Sequence, residues 1–146
     1  MAKVLVIRLS AIGDVAMTVP VIYSAAKANP EDSFTVLTQA FLMPLFMNRP
    51  PNVEVIGINT KGAEKGLIGL LKFISALLKF DFDVILDLHN VIRTIIICTF
   101  FRLNGKRVFV LDKARKERKR LTAIKGKRLY PLRPVIVRCA AVFRAA

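Results

Sequence analysis

The 146-residue sequence has no tryptophan, one histidine and two cysteines, and each scarcity removes a class of chemistry. Cys98 and Cys139 stand in apolar surroundings with no CxxC or Cys/His spacing, so they read as buried reduced thiols rather than a disulfide or metal pair. His89 has no second histidine with which to build a metal site or a triad, so no metal is expected. Glycines are few, and none forms the G-x-G-x-x-G of a dinucleotide fold or the G-x-x-x-x-G-K-[ST] of a P-loop, so no nucleotide cofactor is expected. Apolar runs long enough to span a bilayer, ~20 residues, are missing too: Arg93 and Arg102 bracket Thr94–Phe101, and Pro44 interrupts the uncharged stretch 33–48. The opening Met1–Arg8 has too short an apolar core for a signal peptide, which gives the expectation of a cytoplasmic protein.

Acidic residues are scarce in one region only. Residues 1–101 balance 9 Lys/Arg against 8 Asp/Glu, whereas residues 102–146 hold 15 against 2, so the net charge of +14 belongs to the last third. Such asymmetry points to an anionic partner: a phosphorylated substrate, a lipid surface or nucleic acid. The length is that of one domain, and a hydrophobic content of 54% with a mean hydropathy of +0.48 fits a strongly buried sheet or an unmet partner surface.

Along the chain, strand and helix patterns alternate. Val4–Arg8 is a short apolar run suited to a buried parallel strand, and Asp14 opens a helical segment over Val15–Ala28 that Pro20 is expected to kink or restart. Strands follow at Phe34–Thr38 and Val53–Ile58, with a short helix or loop over Gln39–Met47 between them. The periodicity predicts helices over Lys65–Phe80 and Val91–Leu103 and strands over Asp83–Leu88 and Arg107–Leu111. A basic run, Lys113–Arg128, reads as a mobile loop or frayed helix, and Val135–Ala146 as a last helix that stops without a cap, as if cut at a domain boundary. The order βαβαβαβαβ predicts a Rossmann-like α/β domain, a parallel sheet with helices on both faces and ligands at the carboxyl ends of the strands.

The first such end is the turn Ser10-Ala11-Ile12-Gly13-Asp14. An acid there disfavours phosphate, but a carboxylate on a first helical turn, with Gly13 leaving room for a ligand, has the placement of a general base. Asp is equally suited to an ordinary helix cap at this position.

The run Val4-Leu5-Val6-Ile7-Arg8-Leu9-Ser10-Ala11-Ile12-Gly13-Asp14-Val15, followed by Thr18-Val19-Pro20, resembles the opening of the ADP-heptose:lipopolysaccharide heptosyltransferases of glycosyltransferase family nine. Phe82–His89, the basic stretch after the fifth strand and the closing helix Val135–Phe143 fall where that family has similar segments, so the resemblance covers nearly the whole chain. It implies the amino-terminal, acceptor-binding half of a GT-B architecture over residues 1–146, with the donor domain for ADP-heptose absent. It further implies that Asp14 is the base of an inverting heptosyl transfer to the lipopolysaccharide inner core, and that the chain alone is inactive.

Basic residues near strand ends would then meet an acceptor rich in carboxylate and phosphate: Lys61 and Lys65 after the third strand, Arg93 after the fourth, and Arg115, Arg118 and Arg120 after the fifth. Most surface charges of this kind are simply solvated. Ser10, Gly13 and His89 complete the expected acceptor site. Lys65, Lys72 and Lys79, seven apart, form a stripe that is either a solvated helix face or a contact to anionic lipid at the inner membrane. The rival from another class is a nucleic-acid- or anionic-surface-binding module using residues 113–128, but that run lacks the interleaved aromatics of a stacking platform.

Overall fold

A computed structural model describes residues 1–62, 66–122 and 131–146. Five strands, β1 (Lys3–Ile7), β2 (Ser33–Gln39), β3 (Val53–Ile58), β4 (Val84–Asp87) and β5 (Arg107–Val110), form one parallel sheet in the order β3-β2-β1-β4-β5. Because side chains alternate along a strand, β1 sends Val4 and Val6 to one face and Leu5 and Ile7 to the other. The first face is covered by α1 (Ile12–Ala28), α5 (Val135–Ala145) and a 3-10 turn at Ala40–Leu45, and the second by α2 (Gly66–Leu78) and α3 (Ile92–Leu103). Double coverage is why the inner strands read as continuous apolar runs. The Rossmann-like α/β class and its five strands are as the sequence indicated.

Three expectations change in detail. α1 starts at Ile12 with Ala11 as its N-cap and no capping side chain, so Asp14 is not a helix cap; it lies inside the first turn, where Arg8 claims its carboxylate. Of the two outcomes expected at Pro20, a kink or a restart, the restart does not occur: α1 runs from Ile12 to Ala28 with the proline inside it, since a proline forfeits only one backbone bond of a long, well-packed helix. Part of the basic run is a formed helix, α4 (Arg115–Leu121), with no buried residue; the remainder, 123–130, lies outside the described residues.

Cys98 and Cys139 are both buried and free, and they sit in opposite layers with the sheet between them, which rules out a bond within the chain. Burial raises both thiols, Cys98 to about 12, so neither is a thiolate at neutral pH. No helix of the described residues is long and apolar enough to cross a membrane.

The α2/α3 layer is closed by Phe101, which is buried and packs edge-on against Phe82 with ring centroids 6.2 Å apart. Phe101→Ala is expected to cost about 3–5 kcal/mol in urea unfolding, whereas Leu103→Ala, at an exposed position two residues on, should stay within about 0.5 kcal/mol.

Candidate active site

In this strand order the chain steps from β1 outward to β2 and β3, then returns to the other side of β1 for β4. The loops after β1 and β4 therefore diverge, and a crevice opens at their carboxyl ends. A cavity of about 330 Å³ occupies it, lined by Arg8, Ser10, Asp14, His89, Lys113, Arg118 and Arg138.

Arg8 follows β1 directly and is almost wholly buried. Its backbone N–H donates to the Leu37 carbonyl at 3.0 Å, extending the β1–β2 ladder, while its guanidinium donates through Nη1 to the Leu88 carbonyl and through Nη2 to Asp14 Oδ2. The arginine thus ties the β4 loop to the first turn of α1. Asp14 is held by this pair yet keeps 40% of its side chain exposed, so a ligand in the crevice can reach it.

The opposite wall is built by Asp87, the last residue of β4 and fully buried. One carboxylate oxygen accepts the backbone N–H groups of His89 (2.9 Å) and Asn90 (2.8 Å), and the other accepts the Thr94 hydroxyl at 2.8 Å. These bonds fold the loop back on itself and let Asn90 take a left-handed conformation, φ 51°, which asparagine tolerates well. Asn90 Nδ2 reaches the Leu111 carbonyl at 3.2 Å, linking this loop to the one after β5. His89 is then presented with Nε2 3.2 Å from Ser10 Oγ.

Among the described residues four cations line the cavity and one carboxylate answers them. The imbalance acts on the titrating groups. His89 is lowered from 6.5 to about 4 by burial first and then by Arg8 and Lys113, against the pull of Asp87 and Asp14, so its imidazole is neutral at pH 7. Lys113 is also lowered, by burial and then by Arg115 and Arg8. Among the described residues Arg8 Nε, His89 Nδ1 and Arg138 Nε are buried and find no hydrogen-bond partner, and all three belong to residues of this cavity. Among the described residues no group of three His, Cys, Asp or Glu is placed to hold a metal ion.

The structure brings together Ser10, Asp14, His89 and Arg118 of the residues expected from sequence. Gly13 is in the same first turn, with open space where a Cβ would project, so packing does not demand a glycine there. Arg93 and Arg115 line a different pocket, of about 510 Å³, at the start of α3. Arg120 is exposed on α4, Lys61 is exposed in the turn after β3 at the outer edge of the sheet, and Lys65 lies outside the described residues. Arg8, Asp87, Lys113 and Arg138 are additions. For Arg8 and Asp87 the sequence carried a signal, a charged residue ending an apolar strand run; Arg138, on α5, carried none.

The class defined by this geometry is a Rossmann-like α/β domain with a cation-lined crevice at its topological switch point. Several glycosyltransferases are among the solved structures that this chain resembles in fold. A family 9 glycosyl transferase from Veillonella parvula superposes with a TM-score of 0.70 at 21% identity, over 99% of this chain and 41% of that one. The E. coli heptosyltransferase WaaC with ADP gives 0.65 at 20% identity, over 98% of this chain and 47% of the enzyme. A UDP-N-acetylglucosamine 2-epimerase from Listeria monocytogenes, described as putative, also superposes, at 0.54 and 14% identity over 80% of this chain and 33% of that one. At these identities the likeness establishes the fold, matching one Rossmann-like half of the GT-B neighbours, and this chain spans less than half the length of each. No protein-family model and no curated protein sequence matches the chain.

Two measurements check the site's construction. Thr94→Val removes the hydroxyl that satisfies buried Asp87 while keeping the shape, and urea unfolding should show a loss of about 2 kcal/mol. His89 gives a pH signature: its folded value, about 4, lies below its unfolded value of 6.5, so between them the unfolded chain binds a proton that the folded chain refuses. Its contribution is fully present above 6.5 and is lost as pH falls toward 4. With solvent screening at the half-open ring, the loss should be roughly 1–2 kcal/mol, and His89→Gln should abolish that part of the profile.

Proposed function

We propose that this chain is the acceptor-binding half of an inverting GT-B glycosyltransferase, a heptosyltransferase that moves heptose from ADP-heptose to the lipopolysaccharide inner core. The observation that carries the reading is Asp14 itself: a partly exposed carboxylate, anchored by buried Arg8, in the wall of a cation-lined crevice. An acceptor hydroxyl seated against Asp14 would give up its proton to the carboxylate as its oxygen attacks the anomeric carbon. The bond from that carbon to the ADP phosphate breaks on the opposite face, ADP leaves, and the anomeric configuration inverts. In-line attack puts the diphosphate away from the base, so donor binding falls to a second domain not contained in residues 1–146.

Arg118, Lys113 and Arg138 beside Asp14 suit carboxylate and phosphate on the acceptor, and Ser10 and neutral His89 suit its hydroxyls. That two members of the basic run face the crevice favours this use over a separate nucleic-acid surface. The reading places the protein on the cytoplasmic side of the inner membrane, with residues 1–146 binding acceptor but showing no turnover.

Asp14→Asn in the two-domain protein tests it. Asparagine keeps an oxygen for Arg8 but cannot take the proton, so transfer should fall by about 10²–10⁴-fold with acceptor binding and the circular dichroism spectrum preserved. Retained turnover would remove Asp14 from the role of base.

A further inference from the structure

Helix α2 is apolar on the wrong side as well as the right one. Leu70, Ile74 and Leu77 are buried against the sheet, yet Leu67, Ile68 and Leu71 are 60%, 73% and 37% exposed. Large apolar side chains grouped on the outer face of a helix mark a surface that something covers. Lys72 and Lys79 are exposed on the same helix and the turn after it, and no acidic residue occurs from 66 to 80. The neighbouring α3 adds Ile92, 79% exposed, and Ile95 in its first turns. Both helices follow parallel strands and cover the same face of the sheet, so their first turns lie at its carboxyl edge, the edge that carries the crevice.

We infer that the outer face of α2, with the start of α3, is a docking surface for an anionic lipid bilayer. Leu67, Ile68 and Leu71 enter the acyl boundary, and Lys72 and Lys79 meet the headgroups, the division of labour of an interfacial amphipathic helix. Charge selects this occupant. A second copy of the chain would bring 24 basic residues against 10 acidic ones and a net charge of +14 to a surface that is itself basic. An anionic bilayer satisfies both the lysines and the isoleucines. The docking deepens the glycosyltransferase reading by putting the crevice at a membrane that holds a lipid-borne acceptor, but it is measured without turnover, so either can fail alone.

The experiment is co-sedimentation of the 146-residue chain with vesicles of phosphatidylcholine alone or mixed with phosphatidylglycerol, in about 0.15 M salt, where surface attraction is screened beyond ~8 Å. The chain should partition onto the mixed vesicles. Ile68→Ser/Leu71→Ser leaves the net charge unchanged and should weaken partitioning about tenfold, and Lys72→Gln/Lys79→Gln should weaken it further on the mixed vesicles. Unchanged binding of the serine variant would assign all attraction to the basic run and overturn the proposal. So would absence of binding by the parent chain, or a dimer of the parent that the serine variant dissolves, which would make the face a protein interface.

Discussion

Two loops leave the carboxyl edge of the sheet in opposite directions, one after β1 and one after β4, and the Arg8 guanidinium is what spans them. It takes the carbonyl of Leu88 on one side and the carboxylate of Asp14 on the other. An arginine is suited to this because its planar fork presents several N–H groups in fixed directions and stays charged when buried. Without that bridge the crevice would have neither a fixed width nor a fixed carboxylate. Asp87 performs the matching task for the second loop, spending both oxygens on backbone and hydroxyl donors so that His89 is carried rather than left to find its own position.

The electrostatics follow from the same placement. Burial does most to suppress the protonation of His89 and to lower Lys113, and the cations that Asp14 alone cannot balance, Arg8 among them, push both the same way. Crowded cations of this kind destabilise the empty domain and favour a ligand that brings negative charge. The site therefore has an anion-seeking wall around a base-like centre.

Fold likeness does not fix the reaction, since a protein described as a putative epimerase shares this half-architecture with glycosyltransferases. What separates candidate chemistries is the content of the crevice. A P-loop or dinucleotide site would offer bare amides to phosphate; here a carboxylate occupies the first helical turn and an arginine has already claimed one of its oxygens.

The continuous, almost wholly apolar runs of Val4–Ile7, Phe34–Thr38 and Val84–Asp87 were legible as buried parallel strands because burial on both faces leaves few other residue choices. The turn at Ser10–Asp14 was legible for a similar local reason, a glycine and an acid at a strand-to-helix junction. Pairing was not. Whether Asp14 capped its helix or faced a ligand depended on where Arg8 reached, and that reach is set by β1 lying beside β4, 80 residues away in sequence. Arg138 joined the site only because α5 packs beside α1, a contact that no local pattern encodes. Which leucines of α2 stay exposed was not legible, for the same reason: periodicity says that a helix has an apolar face, but only the packed sheet decides which of its apolar residues are left over. The sequence by itself determined the elements and the chemistry each could offer; tertiary structure decided which charges meet, because that depends on long-range neighbours rather than on spacing along the chain.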